Sequence, residues 1–198
     1  MKRTSYLLLL LLPLFSAAQK KGREISFAVN NNHTAYPFGS FSRLFSGPLH
    51  PGAEAGYSFS WKEKGKYTLF QNFRAGYFYH RFVQHAIPVY TQFGYRYRVL
   101  PQLDAQAMIG AGYLHSVPAT AVLKLNDNGE YENAKGIGRG QVLFNAGLSL
   151  RFRLQDNVST PSIFLQYSQQ LQAPFINSYV PLLPYNTMAI GASLPLKK

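Results

Sequence analysis

Residues 67–80 read YTLFQNFRAGYFYH, and their side chains alternate between two kinds of row. Leu69, Phe73 and Tyr77 belong to a mostly apolar odd row, whereas the even row includes Arg74. Successive side chains of a strand point to opposite faces, so a period of two predicts a β-strand with one apolar face. The segment exceeds the roughly 10 residues that a tilted strand needs to cross a bilayer.

The same alternation recurs along the chain. Clear copies cover residues 87–99, 103–113 and 141–154, and weaker copies cover residues 25–29, 53–61, 163–171 and 188–196. With residues 67–80 these make eight segments. A single segment is also typical of a half-buried strand in a soluble sandwich, so the choice between water and membrane depends on the set as a whole.

The connections between these segments alternate in length. Short ones cover residues 62–66, 100–102 and 155–160, long ones cover residues 31–50, 116–139 and 172–185, and residues 81–86 are short where a long loop is expected. Membrane barrels have short turns at one end and long loops at the other. The sequence therefore predicts an all-β fold, an antiparallel up-and-down transmembrane β-barrel of about eight strands, with both termini in the periplasm.

Aromatic residues make up 15% of the chain and concentrate near the ends of the apolar rows. The members of this set are Trp61, Tyr67, Tyr77, Tyr79, Tyr95, Tyr97 and Tyr113. Amphipathic rings prefer the boundary between hydrocarbon and headgroups, so the set indicates two interfacial girdles. The alternative is that tyrosine and phenylalanine simply favour strands.

The opposite rows carry charged side chains that would face the inside of the barrel. We predict a lumen network of Glu54, Arg74, Arg96, Arg98, Asp104, Arg151 and Arg153. An eight-stranded barrel is just wide enough for side chains to fill, so these groups are expected to pair rather than line a pore. The arginines near the periplasmic end either bind a phosphate or form a solvated plug stabilised by Asp104.

The first 18 residues have the order of a secretory signal peptide. Lys2 and Arg3 precede the apolar run 7–15 and the small residues 16–18, so we expect cleavage after Ala18 and a barrel domain over residues 19–198. The chain has no cysteine, which excludes disulfides. Its net charge of +12 raises the question of nucleic acid, but no nucleic-acid-binding motif is present and export separates the chain from it. Outer-membrane lipid and lipopolysaccharide are the expected partners, with another envelope protein as a further candidate.

The histidines are the strongest candidates for chemistry. His50, His80 and His85 are expected near the same end of the barrel and could hold a transition metal, although their spacing matches no recognised ligand pattern. No phosphate-loop, dinucleotide or hydrolase motif occurs, so the sequence predicts no cofactor.

In length, signal peptide and strand number the chain resembles the small eight-stranded outer-membrane β-barrel proteins of Gram-negative bacteria. That group includes enzymes that remove or add acyl chains on lipid A with a histidine and a serine near the outer leaflet, and His115-Ser116 is the matching pair here. Adjacent strand residues face opposite ways, which disfavours a catalytic pair. Three hypotheses result: a barrel with a structural or surface-interaction role, a lipid A-modifying enzyme, and a soluble lipocalin-like carrier with its apolar rows inward.

Overall fold

The computed structural model describes residues 22–34, 41–134, 136–155, 160–175 and 181–196. The predicted signal peptide lies outside these residues. The described elements are β1 (Arg23–Thr34), α1 (Arg43–Ser46), β2 (Pro51–Lys64), β3 (Tyr67–His80), β4 (Gln84–Leu100), β5 (Leu103–Pro118), β6 (Leu123–Leu125), β7 (Tyr131–Asn133), β8 (Arg139–Arg153), β9 (Ser162–Ala173) and β10 (Leu183–Pro195). Within this part of the chain, no helix is both long enough and apolar enough to span a bilayer.

Eight of the strands close into one barrel. Each pairs antiparallel with its neighbours in the order β1-β2-β3-β4-β5-β8-β9-β10, and β10 pairs back onto β1. Strands β6 and β7 form a separate hairpin within one long connection. The predicted fold class and strand number are confirmed.

The two ends of the barrel differ in their connections. At the end we name the turn end, residues 65–66 and 101–102 link strands, and β1 begins beside the end of β10. At the opposite end, which we name the loop end, the connections after β1, β5 and β9 are long, whereas residues 81–83 form a tight turn. Gly65 has φ +58° in the two-residue turn between β2 and β3, a conformation that glycine adopts without strain.

The apolar rows face outward. Ile109 is 69% exposed and Phe144 51% exposed, whereas the inward-facing Gln92 and Asn145 are buried. A soluble lipocalin-like barrel would show the reverse arrangement, so that hypothesis is wrong. An outer surface of this kind is the apolar band of a transmembrane barrel.

Aromatic side chains lie near both ends of the outer wall. Tyr67, Tyr95 and Tyr97 are exposed toward the turn end, and Tyr77 and Tyr113 are exposed toward the loop end. The rings of Tyr67 and Tyr95 stack, with centroids 6.2 Å apart. This placement is the one expected for the two headgroup boundaries of a bilayer.

A β-bulge changes which side chains of β2 face outward. The register with β3 shifts between Ser60, opposite Phe70, and Lys62, opposite Leu69. Ser60 and Phe70 are buried in the lumen, whereas Leu69 is 45% exposed on the outer wall. Lys62 therefore lies on the outer wall, because a bulge inserts one unpaired residue and reverses the alternation beyond it.

Candidate functional site

The lumen near the turn end is organised around Glu24. Arg151 donates to both carboxylate oxygens of Glu24, from Nη1 to Oε2 at 2.6 Å and from Nη2 to Oε1 at 3.0 Å. Ser193 Oγ donates to the same carboxylate at 3.0 Å, and Arg96 approaches it at 3.4 Å. A bidentate arginine–carboxylate pair is among the strongest side-chain hydrogen-bonded arrangements. Glu24 was not among the residues that the sequence predicted for this network.

Asp104 forms a second ionic group at the same end. Arg153 Nη2 donates to Asp104 Oδ1 at 3.0 Å, and the Nε of Arg98 lies 4.0 Å from that oxygen. The sequence assigned the whole arginine cluster to Asp104. The structure instead divides the cluster, with Arg96 and Arg151 at Glu24.

A third ionic group occupies the middle of the lumen. Arg74 Nη1 donates to Glu54 Oε1, and the hydroxyl of Tyr90 donates to Glu54 Oε2 at 2.8 Å. All three side chains are buried. Buried charges are stable when they are paired and hydrogen-bonded, so this group closes the middle of the barrel.

Glutamines close the lumen at the loop end. Gln84 Nε2 donates to Gln172 Oε1 at 2.6 Å, and Gln172 Nε2 donates back to Gln84 Oε1 at 3.0 Å. Gln141 accepts from Gln172, and Tyr185 accepts from Gln84.

The free space among Glu24, Arg74, Arg96 and their lumen neighbours amounts to about 30 Å³. A volume of this size holds about one water molecule.

His115 and Ser116 lie on opposite sides of the barrel wall. Ser116 is buried in the lumen and its Oγ donates to Gln84. His115 faces outward, with Nε2 2.9 Å from the carbonyl of Ile137 and Nδ1 3.1 Å from the hydroxyl of Tyr113. The two side chains are therefore not a nucleophile and its base, because such a pair needs hydrogen-bond contact.

The structure brings together two of the three predicted metal residues and separates the third from them. The imidazoles of His50 and His80 stack in the mouth at the loop end, with ring centroids 3.6 Å apart and planes 9° apart. His85 lies on the outer wall, where its Nδ1 is 2.7 Å from the hydroxyl of Tyr77. His33, which was not predicted, approaches His50 edge-on at 5.6 Å. In the described ranges, no group of three or more histidine, cysteine or acidic side chains is placed to hold a metal ion.

His50 lies in the connection before β2 and is almost completely buried. Its Nδ1 donates to the carbonyl of Asn32 at 3.0 Å, which fixes the tautomer because a carbonyl only accepts. Burial lowers the pKa of His50 below its ordinary value. The ring is thus neutral at pH 7 and contributes packing at the mouth.

Comparisons with known proteins agree with this architecture. No family model and no curated protein matches the sequence. Among solved structures, Neisserial surface protein A is similar with a TM-score of 0.54 and 4% identity, over 87% of this chain and 96% of that chain. The outer membrane enzyme PagL gives 0.49 and 12% identity, over 87% of this chain and 99% of that chain. Ail of Yersinia pestis gives 0.47 and 13%, over 90% and 100%.

The closed antiparallel sheet and its apolar outer wall define the class of protein as a transmembrane β-barrel. Within that class, the chain has the fold of the small eight-stranded outer-membrane barrels.

Proposed function

We propose that this chain is an outer-membrane protein with a closed lumen, whose role is structural or is exerted through the surface at its loop end. The turn end then faces the periplasm and the loop end faces outward, as in barrels with short periplasmic turns. The observation that carries the proposal is the series of buried polar groups that follow one another along the lumen, at Glu24, Glu54 and Gln84. These groups leave about 30 Å³ of free space in that part of the lumen, which is too little for the passage of a solute.

The closed lumen predicts that the protein does not conduct ions. We expect no stepwise current when the purified protein is incorporated into a planar bilayer in concentrated KCl. Folding is verified on the same sample by the shift in gel mobility between heated and unheated protein, and incorporation by co-flotation of the protein with the liposomes that deliver it to the bilayer. Stable, regular conductance steps would contradict the closed-lumen assignment.

The loop end presents a surface suited to binding. Large apolar side chains are exposed there: Phe82 at 63%, Leu123 at 61%, Leu125 at 62%, Tyr131 at 74% and Ile137 at 88%. Two arginines lie against aromatic rings, with Arg81 4.4 Å from the centroid of Phe82 and Arg139 5.3 Å from that of Phe175. A guanidinium held over a ring is preorganised for a phosphate, which supports lipopolysaccharide as the partner. The exposed apolar groups also suit an envelope protein.

Lipopolysaccharide binding is tested by removing these two positive charges. We expect Arg81→Gln/Arg139→Gln to bind labelled lipopolysaccharide about thirtyfold more weakly, given roughly 1 kcal/mol per basic residue at an anionic surface. Binding is measured by fluorescence anisotropy on detergent-solubilised protein. Arg23→Gln/Lys66→Gln, which removes the same charge from exposed positions at the turn end, serves as the matched control. Equal affinity of the two variants would remove lipopolysaccharide from the proposal.

The lipid A-modifying hypothesis makes a separate prediction about covalent chemistry. It requires a change in the mass of lipid A after incubation with the protein. Because His115 and Ser116 face opposite sides of the wall, their positions give that hypothesis no support. Mass spectrometry of lipid A from the binding experiment tests it on the same samples, and unaltered lipid A is the result that the surface role requires.

A further inference from the structure

The outer wall contains an apolar groove near the turn end. Its volume is about 580 Å³, and its rim is formed by Trp61, Leu69, Phe93, Tyr95, Ala107 and Ile109. Known small-molecule sites measure roughly 300–1,000 Å³, so the groove is large enough for a ligand chain.

The groove exists because the outward row of β5 carries a small residue at this level. Ala107 lies directly opposite Tyr95 and offers only a methyl group. Gly94, which follows Phe93 in β4, belongs to the lumen-facing row, where the ring of Phe70 occupies the place that a Cβ of this glycine would take. The floor of the groove is therefore the sheet itself at Phe70, Gly94 and Met108.

Positive charge stands at the turn-end side of this groove. Lys62 lies opposite Leu69, which is on the rim, and Lys64 lies opposite Tyr67, one pair closer to the turn. Directly opposite residues in a sheet have Cβ atoms about 4.5–5.5 Å apart, so both lysine stems start beside the groove. Glu63, which lies between the lysines in sequence, pairs with Thr68 in the other row and so belongs to the opposite face.

Trp61 lines the groove. Its indole Nε1 is buried, so the contact that Trp61 offers to a ligand in the groove comes from the ring carbons. The bulge that orients the lysines places Trp61 at the same point, because Trp61 is the unpaired residue between Ser60 and Lys62.

We propose that this groove binds an anionic glycerophospholipid of the periplasmic leaflet. One acyl chain lies in the groove between the apolar side chains of its rim, and the phosphate group lies between Lys62 and Lys64. The site extends the proposed function and rests on its orientation, since the turn end must face the periplasm. A lipid at this site is selected by charge, because a zwitterionic lipid fits the groove equally well but adds no net negative charge for the lysines.

The test uses Trp61 itself, because it is the only tryptophan in the chain. The protein is refolded into phosphatidylcholine vesicles that contain a small fraction of lipid with brominated acyl chains, either phosphatidylglycerol or phosphatidylcholine. Bromine quenches tryptophan fluorescence on contact, so quenching reports which lipid occupies the groove. We expect brominated phosphatidylglycerol to show a relative association constant about thirtyfold higher, as roughly 1 kcal/mol for each of the two lysines implies.

Two variants, each with its own control, separate the parts of the site. Lys62→Gln/Lys64→Gln is expected to abolish the preference for phosphatidylglycerol, whereas Arg81→Gln/Arg139→Gln, at the other end of the barrel, keeps it. Ala107→Phe fills the groove and is expected to reduce quenching by both lipids, whereas Ala111→Phe, on the same face of β5 but outside the rim, does not.

Each further outcome has a definite meaning. Equal quenching by both brominated lipids in the unaltered protein overturns the lipid site and leaves the barrel assignment intact. Absence of quenching by either lipid overturns insertion into the bilayer, and with it the proposed function. A preference that survives in Lys62→Gln/Lys64→Gln also overturns the assignment of the headgroup to these lysines.

Discussion

Replacement of Glu24 by glutamine is expected to destabilise the barrel by about 3–5 kcal/mol, the usual cost of breaking a buried ion pair from one side. Glu24 accepts both terminal nitrogens of Arg151 and is approached by Arg96. The side chain of Arg151 is only 5% exposed, so bulk water cannot solvate the guanidinium in place of the lost negative charge. The cost therefore comes mainly from leaving a positive charge buried without its counterion.

The measurement is urea unfolding of the protein in phospholipid vesicles, followed by Trp61 fluorescence. Glu63→Gln is the matched control, because the exposed Glu63 leaves no buried charge behind, and it should stay within about 0.5 kcal/mol of the unaltered protein. Adding Arg151→Met to Glu24→Gln should recover part of the loss, since it removes the unpaired charge. Glu24→Gln as stable as Glu63→Gln would mean that Arg151 finds another partner, and that Glu24 does not organise the turn end.

Much of the architecture was predictable because alternate residues of a strand lie on opposite faces, so a barrel with one apolar and one polar face has an alternating sequence. The period of two in residues 67–80 separates Leu69 from Arg74, and the structure places these on the wall and in the lumen. The same parity argument predicted that His115 and Ser116 face opposite ways, and the structure shows them on opposite sides of the wall. The short connections between successive strands then predicted that neighbours in the chain pair antiparallel.

Which inward residues meet was not predictable, since parity fixes the face of a residue but not its neighbours across the lumen. Glu24 and Arg151 are 127 positions apart and come from β1 and β8. Their contact depends on the stagger of the strands around the closed barrel, which no local pattern encodes. Glu24 also precedes the short alternation at Ile25, so β1 gave a weak signal.

The bulge at Trp61 was the other feature that the alternation pattern did not predict. The sequence placed residues 62–66 in a turn, whereas β2 continues to Lys64 and the turn is only residues 65–66. An inserted residue reverses the alternation, so the lysines that follow appear in the wrong row when the strand is read with a constant period. The outward position of Lys62 emerges only from its register with Leu69.

The distribution of charge along the barrel bears on which anionic partner meets which residues. The sequence associated the basic character with outer-membrane lipid and lipopolysaccharide, and many basic residues lie toward the turn end: Arg23, Lys62, Lys64, Lys66, Arg96, Arg98, Arg151 and Arg153. The arginines of this set at positions 96, 98, 151 and 153 have carboxylate neighbours in the lumen. The exposed lysines of β2 do not share those carboxylates, which is why a lipid phosphate is the partner that suits them.

Replacement of Ile190 by arginine is expected to cost about 2–4 kcal/mol of stability in a bilayer, the range for a cation on the lipid face at mid-depth. Ile190 is 56% exposed on the outer wall, between Val29 on β1 and Leu165 on β9. In a water-soluble protein, the same change at an exposed apolar residue would stay within about 0.5 kcal/mol. The size of the effect therefore distinguishes a wall that contacts lipid from one that contacts water.

Ile137→Arg provides the comparison within the same chain. Ile137 is 88% exposed in the connection before β8, at the loop end, and should tolerate arginine with little change in urea midpoint. If the cost of arginine depended only on how exposed the isoleucine is, Ile137 would be affected more than Ile190. Because only Ile190 contacts hydrocarbon, we expect Ile190→Arg to be the destabilising variant. Equal urea midpoints for the two variants in vesicles would contradict the assignment of the outer wall to lipid. The orientation of the loops and the position of the groove depend on that assignment and would be lost with it.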